Sequence, residues 1–142
     1  MKKIEPYKLW LGHAGDGRDF KQILDLGIEA VVQLAVEETP LQPPRELVYL
    51  RFPVVDGPGN TFNPLYLAIQ SVGMLIEYSV PTLVCCGAGL SRSPAVAAGA
   101  LALAQQRFEK LNDVLAELSQ QYLCDVHPGF WQDVKTVLFH QR

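Results

Sequence analysis

Apolar positions recur along this chain with two rhythms. Short runs rich in β-branched and large apolar residues stand at residues 8–11 (KLWL), 28–34 (IEAVVQL), 47–55 (LVYLRFPVV) and 82–85 (TLVC). Their length and composition predict strands buried in a sheet. Between and after them the spacing changes to the helical period. Leu67, Ile69, Val72, Leu75 and Ile76 predict a helix over 64–79, and Leu111, Val114, Leu115, Leu118 and Tyr122 predict another. A short helix is expected from a cap at Asp19 to Leu26, stopped by Gly27, and a last amphipathic one over 130–139. The small-residue run at 95–104 is too short for a membrane span and predicts a buried helix starting near Ser93. Residues 12–17 read as a glycine-rich loop, 37–45 as a proline-rich loop, and 56–60 (DGPGN) as turn chemistry. Strands joined through helices indicate a single α/β domain over 1–142, a mostly parallel sheet flanked by helices.

Composition narrows the function classes. The 142 residues suit one core, and 49% apolar against 19% charged residues excludes a disordered chain. A net charge of −3 argues against a general nucleic-acid or membrane binder. Three cysteines, two of them adjacent, make no disulfide framework, and no signal peptide is read, so a cytoplasmic location is expected. The three histidines are too scattered for a metal site, and no cofactor is called for.

The chemistry concentrates in 83–96, LVCCGAGLSRSPAV. A strand leads into Cys86, five residues separate it from Arg92, and a helix leads out. In α/β sheets ligands bind beyond the carboxyl ends of the strands, which is where this loop falls. Gly87, Ala88, Gly89, Leu90 and Ser91 are read as a phosphate-binding loop whose backbone N–H groups, with the following helix N-terminus, cradle an anion. Arg92 adds a planar fork suited to two phosphate oxygens. A thiol at the base of such a cradle sees positive potential, so Cys86 is the candidate nucleophile for phosphoryl transfer through a cysteinyl phosphate. Ser93 reads as the helix cap, Pro94 as the first helical residue. The leaving oxygen needs a general acid. Asp56, at the end of another strand and among Gly57, Pro58 and Gly59, is placed for that role, though Asp-Gly is also plain turn chemistry. His13, Glu37 and Glu38 read as solvated loop residues, and Cys124 as a core-facing helix residue.

The motif VCCGAGLSRSPA resembles the dual-specificity branch of the cysteine-dependent protein phosphatases, whose loop reads His-Cys-x-x-Gly-x-x-Arg-Ser/Thr. KLWLG, LGIEAVVQL, FPVVDGPGN and HPGFWQD resemble further segments of that family, in the family's order. The resemblance implies Cys86 as nucleophile, Arg92 as phosphate clamp, Asp56 as acid and then base, and Ser93 as an aid to thiolate departure. It implies phosphorylated proteins or peptides as substrates. The chain departs from the family at Cys85, where histidine is usual, near His127, where asparagine is usual, and at Asp133, where glutamine is usual. With Cys85 in place of histidine, a slower catalyst is expected.

Two other readings stand beside hydrolysis of phosphoproteins: a phospho-binding pseudophosphatase, and a phosphatase of non-protein phosphates. The absence of lysine from 87–91 weighs against highly anionic lipids. A chain this short, with no long insert, predicts a shallow cleft open to both short and long phosphorylated side chains.

Overall fold

The computed structural model describes residues 1–140. In chain order the elements are β1 (Lys2–Lys3), β2 (Leu9–Gly12), α1 (Ala14–Arg18), α2 (Phe20–Asp25), β3 (Ala30–Ala35), β4 (Val48–Val54), α3 (Phe62–Glu77), β5 (Thr82–Cys85), α4 (Arg92–Ala104), a 3-10 turn (Phe108–Lys110), α5 (Leu111–Ser119) and α6 (Pro128–His140).

The sheet runs β1-β2-β5-β3-β4 and is parallel throughout except where β1 pairs antiparallel with β2. The expected mostly parallel sheet is therefore present. β5 is the central strand, and its residues are all buried, matching its unbroken apolar sequence. Chain that leaves β4 through α3 returns to the middle of the sheet. The carboxyl end of β5 thus opens between β2 and β3, where the order of connections changes and a ligand crevice forms.

The two sheet faces are unequal. One carries the main core, with α3 and α4 packed over Leu11, Val32, Leu34 and Val84, α5 against α4, and α6 against α3 and α4. α4 lies at its centre, buried from Arg92 to Ala102. Its alanines let neighbouring helices approach closely: a Cβ on Gly99 would stand 3.1 Å from Val134 of α6. The other face holds a smaller cluster of Ile23, Ile28, Val31, Leu47, Leu83 and Cys85 under α1 and α2.

Three local expectations need correction. Residues 12–17 are not one loop, because His13 and Asp16 form a reciprocal capping box that starts α1: Asp16 N–H donates to His13 Nδ1 at 3.2 Å, and His13 N–H to Asp16 Oδ2 at 2.9 Å. The helix read through Tyr122 ends at Ser119, so Cys124 lies in the following connection, half-buried rather than on a helix. The N-cap of α4 is Ser91, not Ser93, and Pro94 is its third residue rather than its first. The caps at Asp19 and Gly27 stand as read: Gln22 N–H donates to Asp19 at 3.2 Å, and Gly27 takes φ +77°.

Among the described residues no helix is long and apolar enough to cross a membrane.

Candidate active site

A cavity of about 380 Å³ opens at the carboxyl edge of the sheet, with Cys86 at its base. Cys86 directly follows β5, so a central buried strand fixes its position, and the residue is only 3% exposed. Its N–H donates to Gly12 O at 3.4 Å, tying the loop to the end of β2. The Ser93 N–H, in the first turn of α4, points at the Cys86 sulfur from 3.4 Å. A thiolate there faces a helix N-terminus that favours negative charge.

The loop from 87 to 91 is held against β2 and α1. Ala14 N–H donates to Gly87 O at 3.0 Å. Gly89 has φ +79°, and a Cβ on it would fall 2.9 Å from the Gly12 carbonyl, so no other residue fits there without moving backbone. From outside, Tyr122 donates its hydroxyl to Gly89 O at 2.6 Å and Asp125 N–H donates to Leu90 O at 2.8 Å. Burial pushes the Tyr122 phenol up to about 12, which keeps it a donor across the working pH range.

Arg92 is buried and clamped. One terminal nitrogen donates to Glu37 Oε1 at 2.7 Å and to Val54 O at 2.9 Å, and the other to Glu37 Oε2 at 2.5 Å. This bidentate fork fixes the guanidinium plane. Its Nε is buried and has no hydrogen-bond partner among the described residues. Glu37 is an exposed loop residue, as the sequence suggests, but its carboxylate is committed to Arg92. Its hydrogen bonds to Arg92 hold its carboxyl at about 2, well below the ordinary range. The signal that could have found it is a carboxylate two residues past the end of a buried strand, at the same sheet edge as the loop.

Asp56 reaches the same cavity from the β4–α3 connection. Its Oδ1 accepts the Ser91 hydroxyl at 2.5 Å, and Ser91 Oγ in turn accepts the His127 N–H at 2.9 Å. Asn60 organises the connection: it accepts from Val55 N–H at 2.9 Å and donates to Val55 O and Gly57 O at 3.0 and 3.1 Å. Asp133 of α6 accepts from both Asn60 nitrogens, at 2.9 and 3.3 Å. Gly129 lets Pro58 lie against the start of α6, since a Cβ there would fall 2.6 Å from the proline ring. Neither Asn60 nor Asp133 was singled out as a support of the acid.

The structure therefore brings together Cys86, Gly87, Ala88, Leu90, Ser91, Arg92 and Asp56 around one cavity. Gly89 supports the loop from behind. Ser93 is fully buried, its hydroxyl directed at Gly12 O from 3.4 Å. Ser91 keeps its place in the loop while its side chain turns to Asp56 and His127. Cys85, by contrast, faces away. Its thiol donates to Val32 O at 3.6 Å within the smaller cluster, against Gly17 of α1, and burial pushes it up to about 12. His13 is exposed at its cap. Among the described residues no three His, Cys, Asp or Glu side chains gather as a metal-holding group.

The same backbone occurs in solved dual-specificity phosphatases. Human DUSP28 matches at TM-score 0.75 and 24% identity, over 95% of this chain and 96% of that one. DUSP15 matches at 0.78 and 25%, over 96% and 85%. OH1 from the Orf virus, described as a tyrosine phosphatase with triple substrate specificity, matches at 0.75 and 18%, over 98% and 86%. No family model and no curated protein matches the chain. The chain has the dual-specificity phosphatase fold.

Proposed function

We propose that this protein is a phosphomonoester hydrolase that removes phosphate from phosphotyrosine, phosphoserine and phosphothreonine side chains of proteins or peptides. The observation that carries the reading is the buried, doubly clamped Arg92, whose free Nε is aimed at no protein group, beside a cysteine at the N-terminus of a buried helix.

In the first step the phosphate enters the loop of Gly87, Ala88, Gly89, Leu90 and Ser91, and Arg92 binds two of its oxygens. Cys86 sulfur attacks phosphorus. The bond from phosphorus to the ester oxygen breaks, and Asp56 gives that oxygen its proton. The product alcohol or phenol leaves and a cysteinyl phosphate remains. In the second step Asp56, now a carboxylate, takes a proton from water as the water oxygen bonds to phosphorus. The sulfur–phosphorus bond breaks, inorganic phosphate departs, and the Cys86 thiolate returns. The Ser93 N–H, 3.4 Å from the sulfur, stabilises the departing thiolate, while its hydroxyl is engaged with Gly12 O. The chemistry uses no cofactor, and no nucleic-acid or membrane partner is part of it.

A second reading is a phospho-binding module with negligible turnover. The observation that favours it is the bond from Ser91 to Asp56, which occupies one oxygen of the carboxyl within the phosphate loop. One experiment separates the two. Purified protein is assayed with an aryl phosphate and with phosphopeptides under reducing conditions, with Cys86→Ser as control. Cys86-dependent phosphate release supports the hydrolase. Phosphopeptide binding without release supports the module.

A further inference from the structure

The charges lining the cavity are unusual for a site that receives a dianion. Besides Cys86 they are Glu37, Asp56, Asp125 and Arg92. Arg92 and Glu37 neutralise one another through two hydrogen bonds. Asp56 is engaged within the site, its Oδ1 accepting the Ser91 hydroxyl at 2.5 Å. Asp125 is different. It is exposed at the cavity mouth, and its backbone N–H is tied to Leu90 O at 2.8 Å, which fixes it beside the phosphate loop. Among the described residues no cation pairs with its carboxylate. Arg92, the cation lining the cavity, is committed to Glu37, and no lysine occurs in the loop at 87–91.

We infer that Asp125 is a specificity-determining residue that selects phosphorylated peptides carrying a lysine or arginine beside the phosphorylated residue. This rests on the hydrolase reading and names its substrate class. A cation flanking the phosphate meets the unpaired carboxylate at the rim. A carboxylate or second phosphate in the same place meets like charge. The interaction is solvent-exposed, so its size is that of a surface pair, and attraction on one side with repulsion on the other gives about a tenfold preference at low salt.

The test uses two phosphopeptides identical except for lysine or glutamate next to the phosphorylated residue. Wild-type kcat/KM should favour the lysine peptide by about tenfold, and about 0.5 M salt should erode the ratio, because exposed pairs are screened. Asp125→Asn should bring the ratio near one, Asp125→Lys should invert it, and Asp125→Glu should restore it. A purely structural role for Asp125 would alter rates toward both peptides alike and leave the ratio. Equal wild-type kcat/KM for the two peptides, or a ratio unmoved by Asp125→Lys, overturns the inference. Hydrolysis of a small aryl phosphate reports separately on the hydrolase reading. If no ester is hydrolysed, that reading fails, and the same pair of peptides is compared by Kd on the Cys86→Ser protein. Preference for lysine then upholds the role of Asp125, and equal Kd rejects it.

Discussion

Arg92 and Glu37 show how much of this site is decided by single contacts. A buried guanidinium without a fixed partner would swing among rotamers, and the bidentate carboxylate removes that freedom. Glu37→Gln keeps the shape but loses one of the two bonds, because its amide nitrogen cannot accept, and weakens the other. It should lower kcat/KM by about 10²-fold, the scale of a small misplacement of a positioning group, and weaken competitive inhibition by inorganic phosphate. The same pair has a pH signature. The Arg92 hydrogen bonds lower the folded Glu37 carboxyl to about 2 from an ordinary 4.5. A depressed acid stabilises the fold above its unfolded value and loses that contribution as pH falls toward the folded one. The Tm difference between wild type and Glu37→Gln should therefore hold above pH 4.5 and shrink between pH 4.5 and 2. The effect is modest, because the carboxylate is 52% exposed. A difference that is flat across this window would show that the pair carries no net energy. Cys85 is decided just as locally. Its sulfur sits where a Cβ on Gly17 would come within 2.7 Å, so a larger side chain must displace α1. Cys85→His should cost about 1–3 kcal/mol in urea unfolding, the range for overpacking, whereas Cys85→Ala should retain turnover. A stable Cys85→His protein with a shifted acidic activity limb would restore a catalytic role to this position.

At the level of elements, the acid loop and α6 act as one unit. Asp133 accepts both Asn60 nitrogens, and Gly129 seats Pro58, so the loop that carries Asp56 is fastened to a helix whose other face fills the core with Phe130, Trp131 and Val134. Asp133→Ala should loosen the loop without unfolding the protein. Its kcat should fall about tenfold on phosphoserine peptides, whose leaving oxygen needs a proton, and much less on an aryl phosphate with an acidic phenol. Equal losses on both would place Asp133 outside the acid's support. This element also marks where sequence reading stops. The strands at 82–85 and 28–34, the Asp19 cap and the Cys86–Arg92 loop were legible because local pattern alone specifies them. The Glu37 fork, the Ser91 turn toward Asp56 and the Asn60–Asp133 bond were not, because each joins residues 35 to 73 positions apart. The capping box at His13 is local too, yet the three glycines in residues 12–17 mask it, because glycine is a poor helix former.

Across the whole molecule, the fold places its rigid and reactive parts on the same helix. α4 is buried along most of its length, and its first turn supplies Arg92 and the Ser93 N–H. Core packing therefore sets catalytic geometry. Phe130 is fully buried in the main core, and Phe130→Ala should lower stability by about 3–5 kcal/mol. A fall below about 1 kcal/mol in denaturant unfolding would mean that the core reforms around the gap and that α4 is held by other contacts. The central claim, that Cys86 carries the phosphoryl group through a covalent intermediate, is tested most directly by rapid quenching of Asp56→Asn with an aryl phosphate, followed by intact-mass analysis. The account predicts a single phosphoryl group attached to Cys86, absent from Cys86→Ser. Phosphate release from the wild type with no adduct on Cys86, or release that persists in Cys86→Ser, would contradict it.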